Sequence, residues 1–244
     1  MAALFLFSTF AQILLMKPVL LSTAYLPPIS WMAVAIQSLS IDIEVQETYP
    51  KQTYRNRCKI NTSAGILSLT VPVKMTNGNH TITADIGIDN SKNWQQLHWR
   101  SIITAYNKSP YFLYYRDLFE PIYSQKHERL FDLNQTFLAA IVKGLLVKQL
   151  DIQTTRQYDF KPNGYDFRNS FHPGNATPQG IHIELPRYLQ VFEPNHGYIP
   201  DLSIIDLLFN MGPDTLPYLA TAKLSIQEGS MYRRIFDPDM VDAK

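Results

Sequence analysis

The chain of 244 residues contains little cysteine and carries almost no net charge. Its single cysteine, Cys58, excludes an internal disulfide and a multi-cysteine metal site, and it fits a reducing compartment. The net charge of +1 provides no global attraction for nucleic acid or for an anionic membrane. A glycine-rich phosphate loop, a G-x-S-x-G motif and an H-E-x-x-H motif are absent. We therefore expect no cofactor and no nucleic-acid partner, and any anion must bind at a local patch.

The amino terminus lacks the positive charge of a secretory signal. Residues 1–15 are almost wholly apolar but contain no lysine or arginine. The run is also shorter than the about 20 residues that cross a bilayer. We interpret it as a start-site extension ahead of a true start at Met16. A signal peptide or a short anchor is the alternative.

A basic stretch stands out against this weakly charged background. Residues 49–60 hold four cations, two tyrosines and two amides. Arg55 and Arg57 are two positions apart, so they share one face of an extended chain. Guanidinium groups bind phosphate or carboxylate in a bidentate manner, and nearby aromatic rings can hold a flat ligand. The stretch indicates an anion-binding site or, alternatively, a solvated basic edge strand.

The first part of the fold follows a strand-loop-helix-strand pattern. Short apolar segments at residues 18–23 and 41–45 predict strands, and residues 30–39 between them predict a helix. This order favours a parallel pair of strands. The loop after the first strand then lies at a carboxyl end, where α/β folds bind ligands.

Further segments predict hairpins and packing helices. Strands are predicted at residues 57–61, 66–74, 83–88 and 188–193, and helices after residue 91, at 128–148 and from about 203. His98 lies on the inner stripe of the second helix, where the structural interpretation is a buried histidine satisfied by a backbone carbonyl.

The last predicted helix carries polar residues on an apolar surface. Ser203 and Asp206 resemble a capping box. Asp206 and Asn210 lie one turn apart, and a buried carboxylate there needs a partner such as Lys17, Arg55 or Arg57.

Two regions have little pattern. Residues 153–186 are rich in proline, glycine and asparagine and predict a long loop, and residues 221–244 predict a tail. Histidines in and after the loop lack tight ligand spacing, so we expect no metal site.

Six segments in co-linear order resemble motifs of the WbqC-like family. They are Tyr25-Leu26-Pro27, Lys51 to Arg57, Leu69 to Val73, Ile88 to His98, Ser109 to Phe112 and Pro200 to Pro213. The chain departs from the family where Ser22-Thr23 replaces a His-Gln pair. The family's paired acids are matched only loosely, by Glu44 and Glu47.

The resemblance implies a function in glycan synthesis. Family members tend to be encoded among genes for O-antigen and other surface polysaccharides, which implies a cytoplasmic protein without stable membrane insertion. The fold we expect is α/β, with a mixed sheet, an N-terminal β-loop-α-β unit, β-rich hairpins and packing helices. Its single domain covers residues 16–220.

The leading hypothesis is a transferase that modifies a nucleotide-linked sugar, with N-acylation as one form of the reaction. His98 would be the general base, and Asp206 would orient a base or a substrate hydroxyl. The nucleotide sugar or acyl donor would contact Tyr25, Lys51, Tyr54, Arg55, Asn56, Arg57 and Asn210. We expect Tyr25, Arg55, Arg57, His98 and Asp206 to line one pocket. The rival hypothesis is a non-catalytic binding or scaffold protein of the same pathway.

Overall fold

A four-stranded parallel sheet organises the fold in the computed structural model, which describes residues 18–147, 150–160, 162, 164–175, 177–228 and 231–234. The strands, in the spatial order β7-β2-β1-β8, are β1 (Val19–Ser22), β2 (Ile41–Glu44), β7 (Ile152–Thr154) and β8 (Tyr165–Asp166). Val19 lies opposite Ile41, so the predicted parallel pair is confirmed. Both residues are fully buried, as apolar strands covered on both faces should be.

The remaining strands are antiparallel and form separate sheets. They are β3 (Arg57–Thr62) with β4 (Gly65–Thr70), β5 (Val73–Lys74) with β6 (Gly87–Ile88), and the group β9 (Ile181–Glu184), β10 (Lys223–Glu228) and β11 (Met231–Arg234). The predicted α/β class, with parallel and antiparallel strands, is confirmed.

Helices cover the parallel sheet and the β3–β4 hairpin. Their bounds are α1 (Ile29–Ile36), α2 (Trp94–Tyr106), α3 (Phe112–Ser124), α4 (Leu130–Gly144), α5 (Glu193–His196), α6 (Ile204–Met211) and α7 (Thr215–Thr221). The sequence predicts α1, α2, α4 and α6. It does not predict α3, which contains Pro121, a residue that disfavours a helix interior. Burial of Phe112, Tyr115 and Phe119 along one face stabilises α3 in spite of that proline.

Several local predictions differ from the structure. The predicted strand at residues 83–88 begins as a 3-10 helix (Thr83–Asp85). The predicted strand at residues 188–193 is absent from the described chain, because the Gln190 side chain bonds both backbone groups of Ile199 in place of a strand partner. Strands β8 and β9 lie in the interval 153–186, and β10 lies beyond residue 220. Residues 1–15 lie outside the described residues.

The loop after β1 docks on the start of α6. Ser30 donates from its backbone nitrogen and its hydroxyl to the two oxygens of Asp201, both at 2.8 Å, which caps α1 with a carboxylate from a distant segment. The Ser203 hydroxyl donates to the Leu26 carbonyl at 2.9 Å and does not cap its own helix. The predicted capping box of Ser203 and Asp206 is therefore wrong.

Gly212, just after α6, is required by the packing of α3. Its φ is +57°, and a Cβ there would overlap the ring of Tyr111. We expect Gly212→Ala to lower the free energy of unfolding by roughly 2–4 kcal/mol, from strain in the left-handed region and from overpacking. Chemical denaturation measures this. Gly78→Ala is the matched control, since Gly78 has φ +51° with no atom near the new Cβ. Equal losses in the two variants would contradict the steric argument.

Candidate functional site

A buried ion network lies at the carboxyl ends of the parallel strands. Glu44 ends β2 and is fully buried, and Arg168, which follows β8, is 4% exposed. The Arg168 guanidinium donates to Glu44 Oε2 at 3.1 Å and to both oxygens of Asp166 at 2.9 and 2.6 Å. The hydrogen bonds that it donates to Asp166 raise the pKa of Arg168 above its usual value. The ring of Tyr158 lies 4.6 Å from the same guanidinium.

Arg55 joins this network from the basic stretch. Its Nε donates to Glu47 Oε1 at 2.7 Å, and its Nη2 donates to the Arg168 carbonyl at 3.2 Å. Arg55 is only 2% exposed, so its charge is engaged inside the protein. Burial raises the pKa of Glu47, and the opposing effect of Arg55 is smaller. Arg55, one of the two arginines that the sequence suggested as ligand contacts, is thus already paired with Glu47.

Arg57 differs from Arg55 and Arg168. It is half-buried and has no ion-pair partner in the part of the chain that the structure describes, and its buried Nε has no hydrogen-bond partner there. The buried hydroxyl of Tyr49 also lacks a partner in those residues. Burial raises the pKa of Tyr49 to about 12, and the charges of Arg55 and Arg57 oppose that shift.

Other members of the basic stretch have different environments. Lys51 is exposed, whereas Tyr54 and Asn56 are buried. The Asn56 side chain donates to the Val71 carbonyl at 2.9 Å, which fixes the stretch to the end of β4. Burial raises the pKa of Cys58 well above its usual value, so this thiol is not activated by its basic neighbours.

His98 is held in a buried chain of hydrogen bonds. Its Nδ1 lies 2.8 Å from the Tyr25 hydroxyl, which lies 2.7 Å from the Tyr123 hydroxyl. The ring also bonds the Thr70 backbone, as the structural interpretation of a buried histidine expects. His98 is 6% exposed, and burial lowers its pKa to about 4, so the imidazole is neutral at pH 7.

Asp206 is the centre of a different buried group. Tyr188 donates to its Oδ1 at 2.6 Å and Tyr106 to its Oδ2 at 2.8 Å, and the Asn210 amide lies 3.3 Å from Oδ1. Burial raises the pKa of Asp206 to about 6. The predicted cationic partner is wrong for Arg55 and Arg57, because phenol hydroxyls satisfy this carboxylate, and Lys17 lies outside the described residues.

The sequence-predicted residues therefore divide among separate groups. Tyr25 and His98 are brought together, whereas Arg55 and Asp206 are engaged by other partners. The Asn134 amide donates to the Thr23 hydroxyl and to the Arg55 carbonyl, linking the loop after β1 to the ion network. Sequence reasoning missed Asp166 and Arg168, which lie in the expected loop. Their spacing of two, in alternation with the aromatic residues Tyr165 and Phe167, was the available signal.

Two features are absent from the described residues, a metal-binding cluster and a membrane-spanning helix. No group of three or more histidine, cysteine, aspartate or glutamate side chains there is arranged to hold a metal ion. No helix there is both long and apolar enough to cross a membrane.

The geometry is that of an α/β protein with a charged cluster at the carboxyl ends of a parallel sheet. The model of the WbqC-like protein family matches residues 23–168, which is more than half of the chain. The chain belongs to the WbqC-like protein family, so the resemblance is confirmed. The match contains the basic stretch, His98 and the ion network up to Arg168. Membership suggests a role associated with polysaccharide biosynthesis.

One curated relative is similar over most of its length. It is the protein described as "Uncharacterized protein Rv1507c" from Mycobacterium tuberculosis (strain ATCC 25618 / H37Rv). It is 27% identical over 193 residues, which cover 70% of this chain and 83% of the relative. No solved structure gives a significant match.

The raised pKa of Asp206 predicts how stability changes with pH. In the unfolded chain this carboxyl has its ordinary pKa of ~3.9. The stabilisation that comes from protonating it in the folded protein is therefore complete below that pH, and it is lost as the pH rises through about 6. Between pH 4 and 7 we expect the free energy of unfolding of wild type to fall by about 3 kcal/mol relative to that of Asp206→Asn. Denaturation at several pH values measures this. Exposed Asp214→Asn is the control and should follow wild type.

His98 predicts the opposite dependence. Its pKa of about 4 lies below the unfolded value of ~6.5, so its stabilisation is present above pH 6.5 and is lost as the pH falls through about 4. On acidification from pH 6.5 to 4, the free energy of unfolding of wild type should fall by about 3 kcal/mol relative to that of His98→Gln. A flat difference between wild type and this variant would show that His98 titrates normally in the folded protein.

Proposed function

We propose that the protein is a cytoplasmic transferase of surface-polysaccharide biosynthesis that acts on a nucleotide-linked sugar. The observation that carries the proposal is the Arg57 guanidinium, which has no ion-pair partner among the described residues, whereas Arg55 and Arg168 are both paired with carboxylates. Family membership supports the pathway. The group transfer we favour is N-acylation of an amino sugar.

Arg57 has the properties of an anion-binding residue. Its Nε is buried without a hydrogen-bond partner among the described residues, which is costly, and a phosphate that accepts from the guanidinium fork removes that cost. Arg55 and Arg168 cannot bind an anion in this way, because carboxylates already neutralise them. Arg55 pairs with Glu47, and Arg168 pairs with Glu44 and Asp166. Exposed Lys51 lies in the same stretch and adds positive charge for the second phosphate of a diphosphate.

The proposed acyl transfer needs one base. The amine nitrogen of the sugar attacks the acyl carbon of the donor, a C–N bond forms, and the bond from that carbon to the donor's leaving group breaks. The amine releases a proton, which we assign to His98, a neutral imidazole at pH 7. Tyr25 orients that imidazole through its 2.8 Å hydrogen bond.

A second candidate is a non-catalytic binding protein of the same pathway. The observation in its favour is the burial of His98, whose ring is 6% exposed and engaged by Tyr25 and Thr70. Such a protein would bind the nucleotide sugar through Arg57 without turning it over. Product formation from an acyl donor and a nucleotide-linked amino sugar, followed by mass spectrometry, separates the two candidates.

Arg57 and Arg55 give a matched pair of variants. Arg57→Ala should change the free energy of unfolding by no more than about 1 kcal/mol, because it breaks no ion pair. It should weaken binding of UDP, GDP or dTDP at least ~10-fold, the effect of losing a charge-assisted hydrogen bond. Arg55→Ala should instead destabilise the fold by about 3–5 kcal/mol, since it strands the buried charge of Glu47.

Calorimetric titration with the three diphosphates and chemical denaturation measure these effects. Arg57→Lys keeps the charge but loses the planar fork, and we expect an intermediate affinity. Unchanged nucleotide affinity in Arg57→Ala, or a stability loss as large as that of Arg55→Ala, would make Arg57 a structural residue and remove the proposal.

A further inference from the structure

A polar cavity opens beside the ion network. It has a volume of about 230 Å³ and is lined by Asp166, Asn169, Ser170, Gln179 and Gly180. Asp166 ends β8, which pairs in parallel with β1. The cavity therefore lies at the carboxyl end of the parallel sheet, where open α/β sheets bind their ligands.

The charge of the network reaches this cavity through Asp166. Its side chain is 37% exposed, whereas Glu44 is fully buried and Arg168 is 4% exposed. The network contains three carboxylates, from Glu44, Glu47 and Asp166, and two guanidiniums, from Arg55 and Arg168. Its formal charge is thus −1, and Arg168 fixes both oxygens of the one carboxylate that faces solvent. A cationic or hydroxyl-bearing ligand fits this environment better than a phosphate does.

The other lining groups provide neutral hydrogen-bond partners. Ser170 is 5% exposed and lines the cavity, and its hydroxyl can both donate and accept a hydrogen bond. Asn169 and Gln179 add two exposed amides, each of which can donate and accept. Together with the Asp166 carboxylate they match the alternating donors and acceptors of a sugar ring.

The cavity lies close to the strand that carries Arg57. Arg55 Nη2 donates to the Arg168 carbonyl at 3.2 Å, and Lys59 Nζ donates to the Pro173 carbonyl at 2.6 Å. These two bonds hold the segment that forms the cavity against the start of β3, on either side of Arg57 in sequence. A ligand with a charged part and a sugar part can then contact Arg57 and the cavity at the same time.

We propose that this cavity binds the amine-bearing sugar ring of the substrate, with Asp166 facing the ammonium group and Ser170 and Gln179 bonding the ring hydroxyls. The inference rests on the proposed function, because Arg57 would hold the diphosphate of the same molecule. It adds the place where the amino sugar binds and the carboxylate that recognises its amine.

Titration with simple sugars, followed by amide chemical shifts of ¹⁵N-labelled protein, tests the cavity separately from Arg57. The probes are glucosamine, glucose and N-acetylglucosamine, which share a ring and differ at one substituent. We expect glucosamine to bind at least tenfold more tightly than the other two and to shift the amide signals of Ser170, Gln179 and Gly180. Asp166→Asn should abolish that preference, and Gln179→Ala should weaken all three sugars severalfold. Asn175→Ala, an exposed amide of the same segment outside the cavity, should change nothing.

Three outcomes would overturn the proposal. They are no binding of any of the sugars, equal affinity for glucosamine and glucose, and a glucosamine preference that survives Asp166→Asn. Titration of the same samples with UDP, GDP and dTDP separates this failure from that of the proposed function. Retained binding of a nucleotide with no sugar selectivity removes only the cavity assignment, whereas wild type that binds none of the three removes the proposed function.

Discussion

The pairing of Arg168 with Glu44 and Asp166 ties together the carboxyl end of the parallel sheet. It joins the ends of β2 and β8, which lie on opposite sides of β1. Strand β8 has only two residues, so backbone pairing alone holds it weakly. Burying these charges is favourable only when all partners are in place, and loss of one leaves an unpaired buried charge. The network therefore fixes the geometry of the carboxyl end of the sheet.

The closing motif of the family has a structural role that its sequence does not reveal. The loop after β1 is held by Asp201 and Ser203, more than 170 residues away, through bonds to Ser30 and Leu26. Leu26 and Asp201 both have positive φ, 44° and 50°. Such conformations persist where surrounding contacts determine them, and they cluster at functional sites. This contact positions Tyr25, which follows β1 and orients His98.

Charge pairing and exposure together distinguish the residues that are wholly internal from those that can also reach a ligand, such as Asp166, which is paired with Arg168 but is 37% exposed. Arg55 and Arg168 have carboxylate partners inside the protein, so their charges are used by the structure. Arg57 and Asp166 are the partly accessible groups of opposite sign on neighbouring segments. A ligand with a diphosphate at one end and an amine at the other complements both. The proposed substrate class rests on this complementarity.

Local periodicity predicts the α/β class, the parallel pair of β1 and β2 and the helices with a strong apolar stripe, because each of these depends on neighbouring residues in the sequence. The resemblance to family motifs also placed Tyr25 and His98 in one predicted pocket. Tertiary contacts show that Arg55 is internal, whereas Arg57 has no ion-pair partner among the described residues. The spacing of two predicts a shared strand face, but Arg55 lies in the turn before β3, which begins at Arg57. Tertiary contacts also place β8 and Arg168 inside the interval predicted as a loop. Two-residue strands and ion pairs between residues more than 100 positions apart are set by long-range contacts, which local pattern does not encode.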